Sequence, residues 1–366
     1  AIGFARFGVH RRVPRGHPRE ALLHRSASPN GAPSRPGSIA LGVGTSPWGL
    51  GMKRSKVNPS YKRKYGVTNW SAYNASLVRR GDIAVWISQE AIAAWTPLPS
   101  GEPGGQQLFS DLAIETALTL RLVFHLPLRQ TQGFLDSLLR VLAPSLSSPD
   151  FSTLSRRGAA LEIAIPPLHK DRPLHLIIDA TGLKVFGRGE WAQAKHGKGT
   201  TGAGWRKFHL AVDESGTILA ADLTEAEVAD AAVAPKLIEA AGGDLHRLTA
   251  DGGYDRQNVY KVAMARDADV VIPPRKDAVI SEDPWFQRRN EHIVHRRRSG
   301  KRQWRLDTEH HQQARVENSF HRYKRIFGRS LRARTEKGQY VEVILACRAL
   351  NRMFELGRPA SAPQND

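Results

Sequence analysis

Cysteine is almost absent from this chain. Among 366 residues only Cys347 carries a thiol, so neither an internal disulfide framework nor a cysteine-built zinc site is open to it. A reducing interior is the compartment that suits such a sequence. Long apolar runs are missing too: none approaches the ~18 residues that a membrane span requires. The beginning also lacks the ~7–15-residue apolar stretch of a secretory signal. Together these absences lead to the expectation of a cytoplasmic protein. Acidic residues are in short supply, with 35 Asp and Glu against 54 Lys and Arg, a formal net charge of +19. That excess calls for an anionic partner, and nucleic acid is the usual one.

What is present divides along the chain. Residues 1–51 hold seven Arg, no Lys, one Glu, six Pro and nine Gly, without hydrophobic periodicity. They read as a disordered or non-native upstream extension, with Met52 as the expected natural start. Residues 52–164 read as a mainly helical DNA-binding region. Its first part mixes Lys and Arg with Tyr61, Tyr65, Trp70, Tyr73, Trp86 and Trp95, aromatics that suit either DNA contact or a small core. Helix signals follow at 110–126, with Ser110 as cap and Pro127 as stop, then at 128–143 and 147–161. The last of these is short and carries Arg156 and Arg157, an arrangement compatible with a helix-turn-helix or with an ordinary helical domain. Residues 165–173 read as a linker.

From residue 174 the periodicity changes. "LHLIIDA", "RKFHLAVD" and "TILAADL" are strands, the last two joined as a hairpin through "ESG". A helix is expected after Thr224 and Glu227, which stand at capping-box spacing, with Gly242 as its stop. A strand ending at Asp251, a helix with Asp255 as N-cap, the strand "DVVIPP" and two further helices complete the pattern. Three antiparallel strands followed by alternating helices and strands make a mixed sheet flanked by helices. That α/β order, over 174–356, matches a ribonuclease-H-like fold; 357–366 reads as a disordered tail.

Three acids stand out by position. Asp179 follows the apolar run "LHLII", Asp251 ends a later strand, and Glu317 flanks the helical stripe Val316, Phe320, Tyr323, Phe327. If the first and fourth strands of this region are neighbours, Asp179 and Asp251 face each other with Glu317 approaching from its helix. Clustered carboxylates raise one another's pKa unless a cation neutralises them. Hard oxygen ligands suit Mg²⁺ or Mn²⁺, and two such ions serve phosphodiester chemistry. Each acid also has a plainer reading: Asp179 as a turn former, Asp251 as a cap on Gly252-Gly253, Glu317 as a partner for Arg315 or His321. Between Arg288 and Lys337 sixteen Lys and Arg stand against five Asp and Glu. Lys324 lies two turns after Glu317 on the same face, flanked by Arg322 and Arg325. With Arg315, Arg156 and Arg157 these are the candidate DNA contacts. His292, His295, His310 and His311 have neither a cysteine partner nor helical i, i+4 pairing, which disfavours zinc.

The stretches "NWSAYNASLVRRGDIAVWI", "PLRQTQGFL", "PDFSTLSRR", "DATGLKVFGRGEW", "RKFHLAVD", "TADGGYD" and "RVENSFHRYKRIFG" together resemble a DDE transposase of a bacterial insertion sequence, in the family-five group, over roughly 52–353. The resemblance implies a ribonuclease-H-like catalytic domain whose acids match Asp179, Asp251 and Glu317. It implies nicking at element ends, then attack of the freed 3′-OH on target DNA, served by one site holding two Mg²⁺ ions. It implies double-stranded DNA as partner, both terminal inverted repeats and target, and a homodimer or larger assembly in the bacterial nucleoid. Related families carry an Arg four residues before the Glu and a Tyr three before that. Here Gln313 and His310 stand there, while Lys324 keeps the Lys seven after the Glu. A metal-dependent nuclease of the same fold and an inactive DNA-binding protein are the alternatives.

Overall fold

The run Leu174-His-Leu-Ile-Ile is apolar on both sides of a strand, and it forms the centre of the fold. The computed structural model describes residues 65–99, 101, 103–166, 173–186 and 204–363, all within one unit spanning 63–366. The stretch read as an upstream extension, 1–51, lies outside the described residues, as does most of the linker. Strand β2 (Leu174–Val185) pairs antiparallel with β3 (Trp205–Asp213), which pairs antiparallel with β4 (Ile218–Glu225). On its other side β2 pairs parallel with β5 (Leu245–Thr249), and β5 with β6 (Asp269–Val271). The sheet order is therefore β4-β3-β2-β5-β6. A short β7 (Ser330–Leu331) joins the far end of β2. The mixed sheet expected from the sequence is the one observed.

Alternation along β2 sends its side chains into two cores. Ile177 and Leu183, with Phe208 and Leu210 of β3, pack on one face, and Leu176 and Ile178 on the other. The second face is covered by α6 (Asp230–Ala241) and α7 (Gln257–Met264). The first is covered by α9 (Ala314–Ile326) and α10 (Glu336–Leu356), and the same core continues into α3 (Asp111–Val123), α4 (Leu128–Leu142) and α5 (Phe151–Gly158). Ahead of these lie β1 (Tyr65–Val67), α1 (Trp70–Arg79) and α2 (Gln89–Ala93). Trp86 and Trp95 resolve toward the core reading: both are buried, and their indoles donate to the carbonyls of Arg80 and Ser147. A long basic helix, α8 (Gln287–Asp307), is broken at Gly300, whose φ of 77° only glycine adopts readily.

Local signals performed unevenly. Ser110 caps α3 as expected, accepting from Ala113 N, and Asp150 caps α5. The capping box does not hold: Thr224 stays in β4, and α6 begins only at Asp230, because edge pairing with Lys207 claims Thr224 first. Asp255 is not an N-cap either. It is buried, accepts from Arg289 Nε at 2.8 Å and Tyr260 OH at 3.1 Å, and holds the Arg275 amide. Finally, Ser361–Pro363, read as disordered tail, form β8 and pair antiparallel with β1.

Candidate active site

The parallel ladder between β2 and β5 aligns Leu176 with Leu248 and Ile177 with Thr249, and stops there. Carried on by two residues, that register brings Asp179 level with Asp251, just beyond the last paired residues. Asp179 itself stays within β2, paired with Leu210 of β3, while Asp251 lies two residues past the end of β5. Asp179 alternates with Ile177 and Thr181 and so faces α9. Glu317, in the first turn of α9, is exposed beside the buried Val316 and Phe320. Further along α9 the Lys324 ammonium donates to Thr181 Oγ1 at 2.6 Å, so this helix runs along the part of β2 that bears Asp179.

Electrostatics join the three acids. Burial pushes the Asp179 carboxyl up to about 7, a hydrogen bond from the Ala180 amide at 2.8 Å opposes that, and the charges of Asp251, Glu317 and Asp230 raise it further. Asp251 is exposed, and its Oδ1 accepts from Gly253 N at 2.8 Å. Its cap role and its place at the strand end therefore coexist. A Cβ on Gly253 would stand 3.0 Å from Asp251 Oδ1 and 3.9 Å from Asp230 Oδ2, and one on Gly252 only 3.3 Å from the Pro273 carbonyl. A side chain at either position would therefore be tight against its neighbour, the exposed Asp251 carboxylate at Gly253 and the Pro273 backbone at Gly252.

Asp230 is the acid that sequence reasoning missed. It opens α6, and its Oδ1 pairs with Lys207 Nζ at 3.1 Å. The misplaced capping box hid it; starting the helix at Asp230 would have shown an acid beside a helix N-terminus. Tyr254 completes the setting, fully buried, with a hydroxyl that has no hydrogen-bond partner among the described residues. Burial and the charges of Asp179, Asp230 and Asp251 together hold its phenol well above the ordinary value.

The shift at Asp179 has a testable sign. Its folded pKa lies above the unfolded carboxylate value of about 3.9, so the folded state binds the proton more tightly. The stability this provides is full below about pH 4 and is lost as pH rises to about 7. Replacing Asp179 by Asn removes that loss. Without divalent ions, the melting temperature of the variant minus that of the parent should climb between pH 4 and 7 and then level off. Half-buried His175 and buried His209, both pushed down to about 4 chiefly by burial, slope the other way in each protein and cancel in the difference. A flat difference would remove the carboxyl shift.

The basic candidates divide. Arg315, Arg325 and Arg156 are exposed. Arg322 is turned inward, donating to the Gly216 carbonyl at 3.2 Å and lying over the Phe354 ring; burial brings its pKa down to about 10. Arg157 pairs with Asp111 at 2.6 Å and donates to the Phe109 carbonyl. Both side chains are engaged in holding the fold. On α8, by contrast, Arg297, Arg298, Lys301, Arg302 and Arg305 are exposed. His310 and Gln313, which break the Tyr and Arg pattern of related families, are buried and bonded to strand carbonyls.

A six-stranded mixed sheet with helices on both faces, with Asp179 within the central strand β2 and Asp251 just past the end of its neighbour β5, is the arrangement of a ribonuclease-H-like fold. Residues 170–352 match a family model described as transposase DDE domain, and 78–188 match a second model of the same description. The chain belongs to the transposase DDE domain family, whose members act on DNA and generally use divalent metal. Oxygen donors on Asp179, Asp251 and Glu317 fit a hard divalent cation in kind. Among the described residues, no three His, Cys, Asp or Glu side chains are arranged to hold a metal as they stand. Among the same residues, no helix is long and apolar enough to cross a membrane.

Proposed function

We propose that this transposase cleaves the ends of its element and joins the resulting 3′-OH to target DNA at a single site formed by Asp179, Asp251 and Glu317. The observation that supports this reading is the parallel register of β2 and β5, which, extended two residues past the Ile177–Thr249 pair, would bring Asp179 level with Asp251. The charge of Glu317 felt at Asp179 adds the third member. Asp179, Asp251 and Glu317 would hold two divalent ions, Mg²⁺ or Mn²⁺, and these supply activation of the attacking oxygen and stabilisation of the leaving one. The chain's own residues do the rest. Gly252 and Gly253 leave room for a phosphate beside Asp251. Arg315 and Arg325 take phosphate oxygens on either side of Glu317, with Lys324 positioned at Thr181 between strand and helix.

We assign 174–356 to catalysis and 52–164, joined through 165–173, to recognition of terminal inverted repeats. The exposed face of α5, with Ser152, Ser155 and Arg156, is the reading surface, and the exposed cations of α8 extend the phosphate track. Pairing two ends calls for a dimer or larger assembly on the DNA. The direct test supplies a pre-nicked element end with a free 3′-OH and an intact target duplex. Strand joining in Mg²⁺ is expected; hydrolysis without joining would make the chain a nuclease of the same fold.

A further inference from the structure

Parallel strands that stop pairing are free to splay, and here they stop one residue before the two carbonyls that precede the acids. Ile178 and Ala250 are the first register-equivalent residues beyond the β2–β5 ladder. Gln313 Nε2 donates to the Ile178 carbonyl at 3.0 Å, and His310 Nε2 lies 3.0 Å from the Ala250 carbonyl. A carbonyl only accepts, so His310 carries its proton on Nε2. Burial holds the ring neutral, lowering its pKa. Both side chains come from one 3-10 turn, His310–Gln313, and are buried to 8% and 5% exposure. Glu317 follows Gln313 by four residues, about one helical turn. A single short segment therefore grips both acid-bearing strands and carries the third acid.

We propose that the His310–Gln313 turn is a two-pronged clamp that sets the gap between the middle of β2 and the segment that follows β5, which makes His310 and Gln313 positioning residues for Asp179, Asp251 and Glu317. The inference rests on the acid-site reading above. The turn is itself braced. Trp304, fully buried, lies 5.2 Å from the His310 ring and donates to His292 Nδ1 at 3.0 Å, and His292 Nε2 bonds the Val270 carbonyl of β6. Arg247 of β5 donates to the Thr308 carbonyl and pairs with Glu309 at 3.2 Å. Among the described residues, the other sides of the prongs, His310 Nδ1 and Gln313 Oε1, have no hydrogen-bond partner, and each grip rests on one donor.

The test removes each donor while keeping volume, with Gln313→Met and His310→Phe in the full chain. Asn351→Leu serves as control, because it deletes buried bonds to a strand residue away from the acids, to both the carbonyl and the amide of Ile218. Two Mg²⁺ titrations are read at temperatures where each variant is folded: the rise in melting temperature, and cleavage of an element end. In each clamp variant the Mg²⁺ midpoint should rise on the order of 10-fold or more, with DNA affinity in the absence of divalent ions unchanged. Asn351→Leu should keep the parent midpoint. A parent midpoint in either folded clamp variant, or an equal rise in the control, overturns the clamp. Asp251→Asn is run in parallel: if it alone loses the Mg²⁺ response, only the clamp falls, whereas if it retains response and cleavage the acid-site reading falls.

Discussion

Replacing Asp251 by Asn leaves a folded protein that binds DNA and does not cut it. The fold survives because Asp251 is exposed and makes one described contact, its Oδ1 accepting the Gly253 amide, which an asparagine oxygen reproduces. What disappears is one negative charge at the point where β5 leaves the sheet beside β2. Residues that act as a unit lose almost the whole effect when one is removed, so cleavage and joining should both fall on the order of 10⁴-fold. Binding to an element end, measured by gel shift without divalent ions, should move less than about 3-fold, because phosphate contacts rest on the basic face. Asp179→Asn should match it in activity while gaining stability at neutral pH, since its carboxyl is costly to ionise there. Undiminished cleavage by the Asp251 variant would remove that residue from the mechanism.

Trp304→Ala is expected to be the most destabilising single change near the site, by about 3–5 kcal/mol. The indole is fully buried beneath the turn that carries His310, with His292 edge-on at 5.4 Å and the Arg296 guanidinium over its face. Truncation removes that packing and also leaves His292 Nδ1 buried without its donor. The loss appears as a fall of several degrees in melting temperature, on the order of 10 °C at most for a chain this large. Trp304→Phe, which keeps most of the volume but not the hydrogen bond, should lose less than half as much. A melting temperature within a degree of the parent in the alanine variant would show that the indole contributes little to the fold.

The carboxylates at 179, 251 and 317 stood out as candidates because local patterning marks each: an apolar run before Asp179, a Gly pair after Asp251, a helical stripe beside Glu317. Asp230 was not legible, because the capping-box spacing at Thr224 and Glu227 drew the helix start five residues early. Strand pairing of Thr224 with Lys207 overrode that local preference. Arg322 and Arg157 counted as surface cations by composition; only their neighbours, Phe354 and Asp111, show that they are turned inward.

By itself the sequence determined most element types of 174–356, the antiparallel hairpin and the Ser110 cap, and it put forward the three acids as candidates. These depend on interactions spanning a few residues, or on side-chain periodicity along one element. The tertiary structure alone decided that β5 lies parallel to β2 in the register that levels Asp179 with Asp251, and that His310 and Gln313 reach the carbonyls before them. Those bonds close loops of 60 and 135 residues. No local propensity encodes such a partner; it is set by which apolar faces of the sheet and helices can be buried together.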